Sequence, residues 1–163
     1  MRFAFWVLLL FAVLSCASPP SSTGHPPATS RVGAGFEVSA EKKQTSLVAI
    51  KALVDRLNAI IARKSFVEWQ TYLDDEYLAT YGDPARLKEY SANSPFLKQF
   101  NVKLKSLEDY FKFVVVPSRA NVMVDDITFV DENRVNVWTV VDNERVLLYL
   151  LKVYGKQWKI SSW

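Results

Sequence analysis

Residues 134–163 read RVNVWTVVDNERVLLYLLKVYGKQWKISSW. Val135, Val137, Thr139 and Val141 alternate against Asn136 and Trp138, the period of two that turns one face of a strand to a core. Polar breaks at Asp142-Asn143-Glu144 and Gly155-Lys156 divide the stretch into strands at 134–141, 145–154 and 157–163. Asp131-Glu132-Asn133 sets off a further strand at 122–130. Connections this short join antiparallel neighbours, so the C-terminal third reads as a meander. Leu147 to Leu151 is apolar on both faces, which predicts a central strand covered on both sides.

Upstream the period changes. Leu47, Ile50, Leu53, Val54, Leu57, Ile60 and Ile61 recur at three and four, with Lys51, Asp55, Asn58 and Arg63 on the opposite side, the pattern of an amphipathic helix. Ser65-Phe66-Val67-Glu68 has the form of a capping box and predicts a second helix running to about Tyr81. Its inward face would carry Phe66, Trp69, Leu73 and Tyr77, with Tyr72 and Tyr81 flanking and Gly82 as the C-terminal cap. Asp83-Pro84 and Ser94-Pro95 each put a capping side chain before a proline, and predict two short helical turns. Ser106-Leu107-Glu108-Asp109 suits a turn of helix. Phe111 to Val116, β-branched and aromatic and ended by Pro117, predicts a strand. The fold class that follows is α+β, with N-terminal helices packed on a curved antiparallel β-sheet.

The chain has 163 residues, and once leader and linker are set aside roughly 120 remain, enough for one core and not two. Half of it is hydrophobic, with 5 Trp, 7 Tyr and 10 Phe, so a domain of this size is stable without disulfides. The net charge of +3 is small, and no basic run exceeds Lys42-Lys43, which excludes the phosphate-tracking stripe of a nucleic-acid binder. Lys103, Lys105, Lys112 and Arg119 read as scattered surface bases. One cysteine, Cys16, excludes an intrachain disulfide and a multi-cysteine metal site. The one histidine, His25, lies in a Pro- and Ser-rich stretch with no wall to orient it, leaving carboxylates, Tyr, Lys and hydroxyls as acid-base groups. No metal and no cofactor is expected.

At the N-terminus, Met1-Arg2 is a minimal positive region and Phe3 to Leu14 an apolar run of twelve residues. That is the length of a signal-peptide core and short of the roughly 20 residues of a spanning helix. The run ends in Val13-Leu14-Ser15-Cys16, which resembles the bacterial lipobox, with Leu14 departing from the usual small residue. The resemblance implies cleavage between Ser15 and Cys16, a diacylglycerol thioether on the Cys16 thiol, and acylation of the new amino group. Several acyl chains make a durable anchor, since each buried methylene contributes about 0.8 kcal/mol. The organisation expected is a signal peptide at 1–15, a lipidated cysteine and flexible tether at 16–40, and a globular domain at 41–163. The tether, rich in Ser, Pro, Gly and Ala, spans roughly 25 to 30 Å as a coil. Ala17-Ser18 after the cysteine directs the protein to the outer membrane by the sorting rule of familiar two-membrane bacteria, facing the periplasm or the exterior.

The order of elements from about 45 to 163, with Trp158-Lys159-Ile160 in the closing strand, resembles the NTF2-like (SnoaL-like) cone, in which helices close over a bent sheet. Leu104 to Phe111 and Val116-Pro117-Ser118-Arg119 resemble a small lipoprotein family of spirochaetes. The cone implies two readings. As a binding or protein-interaction module it would take a small apolar or aromatic ligand among Trp69, Tyr72, Tyr77, Trp138 and Tyr149, or present its sheet to an envelope protein. As an isomerase or hydrolase it would use Asp125 or Asp126 as a cavity base, with Tyr72 or Tyr77 as donor. The binding module is the expected function, with the membrane as a partner through the anchor.

Overall fold

The computed structural model describes residues 36–162. The signal peptide with Ser15, Cys16, His25, most of the tether and Trp163 lie outside the described residues.

Four strands form one antiparallel sheet in chain order: β1 (Asp126–Phe129), β2 (Arg134–Val141), β3 (Glu144–Tyr154) and β4 (Gln157–Ser161). The sequence assigns this meander correctly, although β1 is shorter than 122–130. Asp142 and Asn143 both have positive φ, and Val141 pairs with Glu144, so these two residues alone make the β2–β3 turn. Both are residues that tolerate that backbone region. Gly155, with φ +63, opens the β3–β4 turn. Val137 pairs with Tyr149 but Trp138 with Leu147, a bulge that leaves Leu148 without a partner of its own and bends the sheet. Ile127, Phe129, Val135, Val137, Leu151 and Ile160 form the buried face, and β3 is buried continuously from Leu148 to Leu151, as its apolar run predicts.

Among the described residues, seven α-helical segments precede the sheet: α1 (Ala40–Ala62), α2 (Phe66–Gln70), α3 (Asp75–Gly82), α4 (Pro84–Asn93), α5 (Pro95–Gln99), α6 (Leu107–Tyr110) and α7 (Val116–Arg119). Helix α1 lays Ile50, Val54, Leu57, Ile60 and Ile61 into the core. It starts earlier than the apolar period suggests, because Ser39 Oγ accepts from the Lys42 amide and the first turns are polar and exposed. Asp83 and Ser94 cap α4 and α5, each followed by proline, as read from the sequence.

Several expectations fail. The single helix from Ser65 to Tyr81 is two, α2 and α3. Ser65 makes no side-chain cap, and the Glu68 carboxylate instead accepts from Arg63 Nη2 at 2.8 Å. The break comes from the sheet: Ile160 N donates to Tyr72 O at 2.7 Å and Asp74 N to Ile160 O at 2.9 Å, so the chain near Leu73 runs along the edge of β4. Buried Asp74 then starts α3, its Oδ1 accepting from the Tyr77 amide and its Oδ2 from Tyr154 Oη. Gly82 closes α3 as an ordinary helical residue and is not a left-handed cap.

The strand expected at 111–116 is helical. Ser106 Oγ accepts from Asp109 N, and Asp109 Oδ2 from Lys105 N, which starts a helix that runs through a π-helical segment (Phe111–Val115) into α7. Phe111 and Val115, four apart, are the residues this segment buries. The widened turn, in which Val116 N donates to Phe111 O, directly precedes Pro117, which has no N–H to continue the ladder.

Phe36 and Val38 are ordered, although the Ser- and Ala-rich composition around them reads as tether. Phe36 N donates to Phe129 O at 2.9 Å along the outer edge of β1, and Val38 packs on the core. Segments outside the sheet therefore cover both of its edges.

Candidate functional site: a tyrosine-lined cavity

The helices bring aromatic rings together in a continuous series. Trp69 from α2 packs on Phe111 at 4.8 Å between ring centroids and edge-on against Tyr77 at 5.9 Å. Tyr77 and Tyr81 lie one turn apart on α3, 4.3 Å between rings. Tyr81 meets Tyr110 of α6 at 4.9 Å, and Tyr110 meets Tyr90 of α4 edge-on at 5.4 Å. The series runs outward, from Trp69 at 1 % exposure to Tyr90 at 41 %.

Between this series and β3 lies a cavity of about 260 Å³, just below the range of about 300–1,000 Å³ usual for small-molecule pockets. Tyr149 closes it from the sheet side, and Val114, Val115, Leu147, Leu148 and Leu150 supply apolar wall. One helical run, from α6 through the π-helical segment to α7, contributes Tyr110, Val114, Val115, Ser118 and Arg119 at spacings of four, one, three and one. Tyr81, Tyr90 and Tyr110 also border a wider outer groove of about 510 Å³ that extends along α4 past Arg86 and Asn93.

Burial governs the chemistry of these groups. It pushes the Tyr77 phenol well above its usual range, with the neighbouring Tyr110 and Tyr81 phenols adding to the shift. Burial likewise raises Tyr110, and it lifts Tyr149 to about 12 against the opposing pull of Arg119. All three are neutral hydrogen-bonding groups at physiological pH and poor bases. Tyr149 Oη and Trp69 Nε1 are buried and find no hydrogen-bond partner among the described residues. Arg119 is half-buried, its guanidinium carbon 5.8 Å from the Tyr149 ring centroid, and its Nη1 donates to the Ser118 carbonyl at 3.2 Å.

Of the five aromatics expected to line a cavity, the structure brings Trp69, Tyr77 and Tyr149 together and separates the other two. Tyr72 borders a different surface depression with Arg56 and Trp158. Trp138 lies on the opposite face of the sheet, its Nε1 donating to Thr128 Oγ1 and its ring 4.7 Å from the Arg145 guanidinium. The alternation in β2 already says so, since Trp138 and core-facing Val137 cannot share a face. Asp125 and Asp126 do not border the cavity either. Asp125 Oδ2 accepts from Val140 N and Thr139 Oγ1, while Asp126 pairs with Lys43 at 3.2 Å and Arg145 at 3.1 Å. The pairing of an aspartate base with Tyr72 or Tyr77 is therefore not assembled.

Sequence reasoning missed Tyr90, Tyr110 and Arg119 and gave Tyr81 only a flanking place. The i, i+4 spacing of Tyr77 and Tyr81 signals a shared face. Arg119 and Tyr110 are hidden by the strand reading of 111–116, which breaks the helical spacing that aligns them. Among the described residues no group of three or more His, Cys, Asp or Glu stands close enough to hold a metal ion, and no helix is long and apolar enough to cross a membrane.

The chain is 35 % identical over 111 residues to an uncharacterized lipoprotein of the spirochaete Treponema pallidum, in agreement with the likeness to spirochaetal lipoproteins read from the sequence. The match takes in 68 % of this chain and 58 % of that protein, so the chain spans less than two thirds of the relative's length. No protein-family pattern matches the chain, and no solved structure matches it.

Proposed function

We propose that this protein is a lipid-anchored envelope lipoprotein whose globular domain is a non-catalytic binding module, taking a small ligand into the cavity framed by Trp69, Tyr77 and Tyr149. The observation that carries this reading is a cavity of about 260 Å³ walled by tyrosines, Trp69 and apolar residues of β3, with Arg119 at its border. In that wall Trp69 Nε1 and Tyr149 Oη are enclosed and have no hydrogen-bond partner among the described residues, whereas buried polar groups are nearly always satisfied. The anchor is supported by the lipobox-like leader and by the lipoprotein relative. On this reading the helices and bent sheet form an NTF2-like cone, and the anchor holds it at the outer membrane. An isomerase or hydrolase would need a carboxylate on the cavity wall, and the described lining contains none.

The test is native mass spectrometry of the full-length protein extracted in detergent from its own membranes. The expected result is a discrete added mass lost on unfolding, together with an N-terminal peptide that begins at Cys16 and carries acyl chains. A protein that flies without a guest overturns the small-ligand reading and shifts attention to its outer surface. An intact leader overturns the anchor.

A further inference from the structure

The lining of the cavity has a one-sided polarity. Arg119 is the one charged side chain among the described residues that border it. Within the described residues no carboxylate stands at ion-pair distance from its guanidinium, whose recorded hydrogen bond is the single one to the Ser118 carbonyl. A guanidinium has five N–H groups in a fixed fork, so most of its donors remain for another partner. Glu76, whose carboxylate accepts from Ser161 Oγ at 3.4 Å, stays outside the lining on the exposed side of α3.

The other polar groups of the lining are the Trp69 indole and the hydroxyls of tyrosines and serines, none of them charged. Trp69 Nε1 and Tyr149 Oη are enclosed in the wall and have no hydrogen-bond partner among the described residues. Ser118 Oγ is committed to the Val114 carbonyl at 2.6 Å. A cavity bordered by hydroxyls, one cation and, among the described residues, no acid suits an occupant that carries a negative charge. Its valine, leucine and tyrosine walls suit a body that is apolar or a flat ring. A single guanidinium can neutralise one negative charge, that of a carboxylate, and leaves one of the two charges of a phosphate monoester unpaired against an otherwise uncharged lining.

We propose that the ligand is a small organic carboxylate, its ring or short chain seated among the tyrosines and its carboxylate paired with the Arg119 guanidinium beside Tyr149. This rests on the reading of the cavity as a binding site, and it replaces a purely apolar guest with an amphipathic anion. Arg119 sets specificity: it selects acid over amide of the same shape. The outer groove shared at Tyr81, Tyr90 and Tyr110 leaves room for a longer body to continue toward Arg86.

Calorimetric titration of the full-length protein in detergent with benzoate, with the neutral isostere benzamide, and with inorganic phosphate tests this. Benzoate is expected to bind saturably and roughly tenfold or more tightly than benzamide, the size of a charge-assisted hydrogen bond, with phosphate giving no saturable heat. Arg119→Gln, which removes the charge and the guanidinium fork of a half-exposed side chain, should abolish the preference for the acid, and it also controls for partitioning into micelles. Arg119→Lys should restore part of it. Equal binding of acid and amide, an unchanged preference in Arg119→Gln, or no saturable binding of benzoate overturns the carboxylate assignment. Phosphate displacing benzoate would show that the site reads inorganic anions and also overturns it. The cavity reading fails separately, only when native mass spectrometry finds no guest at all.

Discussion

Tyr149 concentrates the physics of the site at the scale of one residue. Its hydroxyl is buried without a partner among the described residues, its ring lies 5.8 Å from the Arg119 guanidinium carbon, and burial holds its proton more tightly than water does. Tyr77 and Tyr110 share that property. A phenol whose folded pKa is raised contributes stability that is fully present below its unfolded value of about 10 and is lost as pH rises toward the folded value, about 12 for Tyr149. An alkaline titration followed by phenolate absorbance should therefore show these three ionising late and together with loss of the circular-dichroism signal. Their ionising with the structure intact would mean that water already reaches them. The sequence displayed the rings but not their company. Trp69 and Tyr77 declare themselves by helical spacing, whereas Tyr149 is paired with them by a register and a bulge that no local pattern contains. Trp138 shows the opposite case, in which strand alternation carried the right answer and an aromatic side chain was still grouped with the cavity.

At the scale of elements, turns and the proline-marked helix starts were legible and the break between α2 and α3 was not. Asp142-Asn143 and Gly155-Lys156 announce hairpins because few residues accept positive φ. Gly155 has φ +63 with nothing within 4 Å of where a Cβ would stand, so its requirement is conformational alone. Gly155→Ala should destabilise the domain by about 1 kcal/mol, seen as a lower urea midpoint with an unchanged slope. No change would mean that the turn relaxes into another type. The capping box at Ser65 misleads because Leu73 and Asp74 answer to β4, almost ninety residues later in the chain, and not to the helix before them. The strand expected at 111–116 misleads because β-propensity is a statement about packing. Here Phe111 and Val115 pack as helical neighbours and a π-helical turn accommodates Pro117.

At the scale of the molecule, the sheet is shielded at both edges, by Phe36 on β1 and by the Tyr72–Asp74 segment on β4. Uncovered edges invite pairing with another chain. A protein trimmed to begin at residue 41, the boundary that composition alone suggests, should therefore self-associate more in sedimentation velocity than one that begins at residue 33. Equal behaviour would show that Phe36 is dispensable. The α+β class and the order of strands were plain in the sequence, since alternation and turn chemistry are local. The cover on the edges was not, because Phe36 and Val38 are two apolar residues in a polar stretch, and only the partner they meet makes them part of the fold.

The same contact has a mechanical side. On the proposed anchoring, a pull on the N-terminus would reach the described fold at Phe36, whose amide donates to Phe129 O, and at Val38, which packs on the core. This edge contact is expected to give way before α1, which is fastened by its whole buried face. Its loss would bare the outer rim of β1.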